Sequence, residues 1–419
     1  MPRLRVITLL LCLCAASLGV ACQNKSPQRA VEAASAFAER QPRYMRSLPH
    51  TKVPEGLTDL RAETCGACHQ AIYNEWKIST HARAWLDDAQ FLAELEKSEK
   101  QGVAWMCMNC HTPLQNQLPK LVTGLKDGRV DQAIMVDNPA FDSALQKEAI
   151  TCATCHVKDG VVLGPFGDTN SPHPVKKEPS LRTVEVCTQC HQAQARFDAV
   201  GLICVFNTGQ EHQDSPQAAA GKICQDCHMP TVERPLWVGG TEPRTVRRHW
   251  FGGSLIPKKP EYAEELAAIA QHFPPGLSVK TQPLPKAVKP GQTVQVDLRI
   301  KNAEAGHYLP SGDPERFLRI QTRVVDAQGK ALAEHIETIG IEYQWHPVVK
   351  KLSDNRLAPL EERMLSLSFK APASGPLTVH VQASRWRINE RNLAYHELEG
   401  KYVPGQSFFK DVHQIDVKK

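Results

Sequence analysis

Five times between residues 65 and 228 the chain reads Cys-x-x-Cys-His: Cys65/Cys68/His69, Cys107/Cys110/His111, Cys152/Cys155/His156, Cys187/Cys190/His191 and Cys224/Cys227/His228. Chance would give roughly 0.02 such matches at this chain's Cys and His frequencies, so the repetition has a use. Two thiols at this spacing reach the two vinyl groups of one porphyrin, and the histidine next to them falls beneath the iron. Zinc and disulfides are the competing uses of paired cysteines. Zinc, however, draws four ligands from two half-sites and has no need of a histidine after every second cysteine. The pattern therefore predicts five covalently attached haems c.

Such cofactors need elements to carry them. With five motifs in so short a span, much of the apolar interior must be porphyrin, and short helices are the natural carriers. Helical apolar spacing runs over Asp87 to Lys100 and over Asn138 to Ile150, the second leading into the third motif. Turn residues mark loops at Gly124 to Gly128 and Gly160 to Pro174. A last helix is expected over Glu261 to Phe273, ended by Pro274-Pro275-Gly276. Beyond it the periodicity changes to two. Thr293 to Lys301, Leu318 to Val324, Leu365 to Phe369 and Val379 to Ala383 alternate, and Asp326-Ala327-Gln328-Gly329 is a turn signal.

At the other end, Arg3 and Arg5 precede an apolar run, Val6 to Ala21, too short and too close to the terminus for a spanning helix. Gly19-Val20-Ala21-Cys22 resembles a bacterial lipobox, although Leu is usual where Gly19 stands, and cleavage after Ala21 would also suit the small residues. A lipid anchor at Cys22 is the expectation, because ordinary cleavage leaves a free terminal thiol. Gln28 to Arg40 is Ala-rich and helix-prone, and Pro42, Pro49 and Pro54 punctuate the next stretch, as in a tether. The fold class expected is α+β and multidomain: an export and lipoprotein signal over residues 1–21, a tether over 22–60, a mainly helical, loop-rich pentahaem domain over 61–276, and a small antiparallel β-sandwich, immunoglobulin-like in style, over 277–419.

Of the 14 cysteines, Cys12, Cys14 and Cys22 belong to the signal and ten to the motifs, which leaves Cys204. No disulfide is then available, and Cys204 reads as a small buried hydrophobe. The formal charge of +5 is misleading, because five haems with two propionates each shift it by roughly −5 when oxidised and −10 when reduced. No nucleic-acid partner is read from it.

Cys65 to Ala84 runs C-G-A-C-H-Q-A-I-Y-N-E-W-K-I-S-T-H-A-R-A. It resembles the cytochrome c-554 family of multihaem cytochromes, in which the motif is followed by Tyr, Trp, Ser and His in this arrangement. Cys224 to Pro230 and Arg248-His249-Trp250-Phe251-Gly252-Gly253 look like the same group, so the resemblance covers about residues 60 to 253. It departs in number, since the namesake cytochromes carry four haems.

What fills the sixth position of each iron separates an electron carrier from an enzyme. Of 17 histidines, five lie in the motifs and 12 outside. The local pattern and the resemblance both point to His81 as a distal ligand. His249, beside Trp250 and Gly252, and His173, between Pro172 and Pro174, are further candidates. His212 competes with a plain Glu211-His212-Gln213 turn. His307 lies in Gly306-His307-Tyr308-Leu309-Pro310-Ser311-Gly312, a segment resembling a GHxxPxG element of some multihaem cytochromes, and competes with a turn-fixing role. His50 reads as a linker histidine or a ligand folding back. Met106, Met108 and Met229 are packing residues, and the histidines at 272, 335, 346, 380, 396 and 413 surface or packing residues.

The expected function is electron transfer in the periplasm or at the outer membrane, between redox partner proteins that the sequence does not name. An alternative is a multihaem oxidoreductase acting on a small nitrogen or sulfur compound at one open-faced haem, with Arg244, Arg247 or Arg248 on the anion. Against close kinship with pentahaem nitrite reductases, no Cys-x-x-Cys-Lys occurs. A third reading makes the chain a docking subunit whose C-terminal domain holds a larger complex.

Overall fold

A computed structural model describes residues 27–167, 171–197, 202–273, 276–345 and 348–418. The signal, Cys22, His346 and the Pro274-Pro275 stop lie outside the described residues. Among those described, no helix is long and apolar enough to cross a membrane.

The segment expected as a tether is, from Pro27 on, a packed element. Helix α1 (Pro27–Glu39) buries Ala34 against Leu118 and Leu121 and sets Phe37 edge-on to Trp105, with ring centres 6.4 Å apart. The small alanines on one face let the helix sit close, and burying that face holds the segment down. Past it, Thr51 donates its N–H to Asn116 (3.0 Å) and His50 donates its own to Gln115 (3.1 Å). His50 is thereby fixed on the protein, and it does not line the cavity that the motifs surround.

The haem-motif region is built of short pieces. The helices are α2 (Ala62–Gly66), α3 (Gln70–Lys77), α4 (Ala89–Lys100), α5 (Ala104–His111), α6 (Ser143–Gln146), α7 (Cys152–His156), α8 (Glu185–Thr188), α9 (Thr208–Gln213), α10 (Pro216–Ala219), α11 (Cys224–His228) and α12 (Ala263–Ile269). Helix α4 starts at Asp88, whose carboxylate accepts the Phe91 N–H, and ends on Lys97 and Lys100, as capping and the helix dipole favour. The helix expected over 138–150 is only four residues long. Asn138 instead donates its amide to the carbonyls of Gln115 and Leu118, both at 2.7 Å, and Asp142 caps the short α6.

The same region holds more strand than a mainly helical domain would. Strands β1 (Lys120–Leu125) and β2 (Ala133–Asp137) form a hairpin, β3 (Val157–Lys158), β4 (Val161–Gly164) and β5 (Val175–Lys177) a small mixed sheet, β6 (Ala193–Phe197) and β7 (Leu202–Phe206) a second hairpin, and β8 (Thr231–Arg234) and β9 (Arg244–Arg247) a third. The expected loop at 124–128 is thus half strand, and 161–164 is strand rather than loop.

The C-terminal unit has two sheets. One orders β10 (Leu277–Thr281), β12 (Thr293–Asn302) and β16 (Glu362–Lys370); the other contains β11 (Ala287–Val288), β13 (Phe317–Val325), β14 (Ala331–Gln344), β15 (Lys350–Asp354), β17 (Leu377–Trp386) and β18 (Gly405–Val417) in the order β11-β18-β17-β13-β14-β15. All pairings are antiparallel except β11 with β18, which is parallel. Alternation drives the packing: Val294, Val296, Leu298 and Ile300 of β12 meet Leu318, Ile320 and Val324 of β13 and Val379, Val381 and Ala383 of β17 in one core. Helix α13 (Glu390–Tyr395) follows β17.

Polar contacts dock this unit on the haem-motif region. Arg356 pairs with Glu211 at 2.8 Å, both nearly buried, and the Ser311 hydroxyl donates to Glu211 at 2.7 Å. These hold the loop 306–312 against α9 and bring His307 to the motifs.

Candidate haem-binding cavity

One cavity of about 2780 Å³ runs through the molecule, lined by both cysteines and the histidine of every motif. A single drug-sized ligand occupies about 300–1,000 Å³, so this space suits several large cofactors. None of the ten motif cysteines is in a disulfide, and among the described residues no three Cys, His, Asp or Glu side chains converge as a bare metal site would need.

The motif histidines are oriented from behind. Nδ1 of His69 donates to the Leu236 carbonyl (2.9 Å), that of His111 to Ala84 (2.7 Å), that of His156 to Leu163 (2.9 Å) and that of His228 to Gly252. A proton held on Nδ1 leaves Nε2 with its lone pair, the form that binds metal. A Cβ at Gly252 would stand 2.2 Å from the Phe273 ring, so a larger residue there would have to displace that ring. The outward histidines repeat the device: Nδ1 of His249 donates to Arg247 (2.9 Å) and that of His307 to Tyr308 (2.8 Å).

Three pairs of imidazoles face one another across the cavity. His81 and His191 have ring centres 6.2 Å apart, His156 and His249 6.2 Å, and His228 and His307 6.3 Å. An imidazole nitrogen binds a first-row metal at about 2.0–2.1 Å and the ring centre lies roughly 1.1 Å behind it, so two imidazoles on one iron have centres about 6.3 Å apart. The residues present fit covalent haem at these three motifs. Burial pushes His81 down to about 3 and His191 and His249 to about 4, which keeps the rings neutral.

His249 is held by its neighbours. Its backbone N–H donates to the buried carboxylate of Glu75 (3.0 Å), which also takes Arg234 (2.6 and 2.9 Å) and Arg248 (2.7 Å). Arg247 is likewise engaged, with Asp226 at 2.6 Å. Arg247 and Arg248 therefore serve the framework and are not free for an anion. Phe251, at φ 49°, lies between the two distal candidates, 4.3 Å from His81 and 5.6 Å from His249.

The remaining candidates separate. His212 lies beside Gly306, with its Cδ2 3.1 Å from where a Cβ would stand, but the ring facing His228 is that of His307. His173 lines the cavity with its buried Nδ1 unpartnered, and its Cα stands 3.5 Å from a Cβ built at Gly56, in the segment that leads into α2 and Cys65. Neither His69 nor His111 faces a histidine ring among the described residues. Against His111 lies Phe91 instead, stacked with ring centres 3.6 Å apart. Cys204, expected as a small buried hydrophobe, lines the cavity. Its side chain is open to the cavity, not to bulk water, and burial with Cys110, Asp313 and Cys107 nearby pushes its thiol up.

Neighbouring motifs touch. The thiols of Cys65 and Cys152, of Cys110 and Cys190, and of Cys187 and Cys224 adjoin in pairs. The first motif thus lies against the third, the second against the fourth, and the fourth against the fifth.

Residues 64–157 match a family model described as cytochrome c554 and c-prime. A penta-heme cytochrome c552 from Thermochromatium tepidum has a similar fold, with TM-score 0.57 and 17% identity over 86% of this chain and 100% of that chain. A CARDB domain from Pyrococcus furiosus also aligns, at 13% identity over 34% of this chain and 87% of that one, but at a TM-score of 0.18 the likeness carries no weight. Among curated proteins none matches. With the motifs gathered on one cavity, the chain is a multihaem c-type cytochrome.

Proposed function

We propose that this is an exported electron-transfer protein with five covalent haems, tethered by lipid at Cys22, that relays single electrons between redox partner proteins. Bound haem supplies one-electron chemistry at iron; the protein's part is to fix position and axial ligation. The carrying observation is the trio of facing imidazoles, His81 with His191, His249 with His156 and His307 with His228, at the spacing of bis-histidine ligation. Two histidines close an iron to substrate and limit rearrangement on reduction, which suits transfer over catalysis. His173, with its free buried Nδ1 on the side of the first motif, is assigned to the iron of His69. Adjoining thiols support a route first–third and second–fourth–fifth, with Phe251 packed between the histidines of the third and fourth. We read the C-terminal unit as an antiparallel sandwich whose loop delivers His307.

A second reading rests on one feature: no histidine faces His111 among the described residues. An iron there with an open face would make the chain an oxidoreductase for a small nitrogen or sulfur compound. Low-temperature electron paramagnetic resonance of the oxidised holoprotein, with and without nitrite or hydroxylamine, tests both. Uniformly low-spin iron that ignores both ligands supports the relay, whereas a high-spin signal that moves on addition supports the enzyme. Mass spectrometry showing fewer than five attached haems sinks the five-haem reading.

A further inference from the structure

Beside the second motif, where the haem-motif region abuts the C-terminal unit, three cations line the cavity. Lys258 pairs with Asp88. Arg387, 4% exposed, donates to the Tyr402 hydroxyl (3.2 Å) and to the Ile256 carbonyl, and its Nε has no partner. Among the described residues the Arg316 guanidinium hydrogen-bonds the Ser311 carbonyl, at a long 3.5 Å, and has Asp313 near it. Neither arginine has an ion pair among the described residues.

The nearby carboxyls do not balance them. Burial pushes Asp88 up, but Lys258 and Arg387 more than offset this and leave it low, so Asp88 stays charged and is used by Lys258. Burial pushes Asp313 up while Arg316 beside it pulls the other way, and burial together with Asp313 pushes Glu315 to about 7. Glu315 is in any case occupied, accepting from Gln90 (2.8 Å) and from Asn392. Two guanidinium groups of the cavity wall are thus left without an ion pair among the described residues, and enclosed charge is costly without a counter-ion. The turn before Arg316 keeps room for it: Gly312, at φ 96°, would with a Cβ crowd the guanidinium at 3.2 Å.

We infer that Arg316, Arg387 and Lys258 form a buried site for a small carboxylate or oxyanion. Planar guanidinium forks match the paired oxygens of that class. Asp88, the partner of Lys258, caps the helix whose Phe91 stacks on His111, and the second motif adjoins the fourth, so the site lies beside the junction of those two motifs. The anion comes from one of two sources: a propionate of a haem bound there, or a free oxyanion admitted beside the second iron. The inference rests on the multihaem reading, because the anion is held beside a haem.

The test uses full-length holoprotein and its Arg316→Gln and Arg316→Lys variants. Haem stoichiometry is measured first; a wild type with fewer than five haems counts against the five-haem reading and leaves the anion site to the other readouts. Reduction potentials are then followed by spectroelectrochemistry, and nitrite and azide are titrated against absorbance and paramagnetic resonance. If a propionate is the anion, Arg316→Gln lowers the potential of one haem and Arg316→Lys restores most of it. If a free oxyanion is bound, wild-type protein responds saturably to nitrite, and Arg316→Gln weakens the response about tenfold, a loss of one order in affinity. Should Arg316→Gln fail to fold, Arg316→Lys, which keeps the charge and loses the fork, is expected to show the same change at smaller size: a slightly lowered potential if a propionate is the anion, a nitrite response weakened less than tenfold if a free oxyanion is. Variants with full haem content whose potentials and anion responses equal those of the wild type overturn the site.

Discussion

The carboxylate of Glu75, 5% exposed, accepts the backbone N–H of His249 at 3.0 Å while holding Arg234 and Arg248. One buried acid on the helix after the first motif thus ties down the segment carrying the imidazole that faces the third. Removing one partner of a buried ion pair costs about 3–5 kcal/mol, because the other charges stay buried. Glu75→Ala is expected to lower the denaturant midpoint of the holoprotein accordingly and to broaden or split the spectrum of one haem. Glu75→Gln keeps an acceptor for the N–H and is expected to cost less. An Ala variant with native stability and an unaltered spectrum would show that the contact does not position His249.

His81→Ala, His249→Ala and His307→Ala should each convert one iron from low-spin to high-spin, because each removes the single ring facing a motif histidine. His212→Ala should convert none: its ring packs by Gly306 and does not stand opposite His228. Paramagnetic resonance of the four oxidised holoproteins checks this. A high-spin signal from His212→Ala, with His307→Ala silent, would reverse the assignment at the fifth motif.

The motifs were legible because covalent haem attachment is a local pattern, carried by adjacent positions. The two-residue alternation of Thr293 to Lys301 likewise found its strand, since one buried face forces that period. What the sequence concealed depends on distant partners. Ala34, Phe37 and Ala38 look like a solvated Ala-rich run until Leu118, Leu121 and Trp105 cover them. Asn138 looks helical until it is claimed by the upstream carbonyls of Gln115 and Leu118. The choice of His307 over His212 was a matter of which loop the Arg356–Glu211 pair pulls inward. Glu75, Lys258, Arg316 and Arg387 carried no motif, and the partners of Glu75, Lys258 and Arg387 lie far away in the chain.

Ile320 of β13 is 1% exposed, at the centre of the core shared by the two C-terminal sheets. Truncating such a side chain removes apolar burial and leaves a cavity, about 2–5 kcal/mol together. Ile320→Ala should lower the thermal midpoint of the holoprotein while leaving haem stoichiometry intact, since the motifs lie outside that core. Calorimetry and pyridine haemochrome absorbance measure the two. A loss of haem with no loss of stability would mean that the sheets guide cofactor attachment instead.

Burial first, and Asp313 second, raise the Glu315 carboxyl to about 7 from its ordinary value of 4.5. The folded protein therefore binds this proton more tightly than the unfolded chain does. The associated stability is complete below a pH of about 4.5 and is lost as pH rises through about 7. Urea midpoints of the holoprotein should fall between about pH 5 and pH 8, and Glu315→Gln should flatten that slope. The Gln variant keeps one acceptor oxygen, for Gln90 or Asn392 but not both, and carries no proton to lose. If the slope persists unchanged in the variant, the proton sits elsewhere, with Asp313 the adjacent carboxyl that burial also raises.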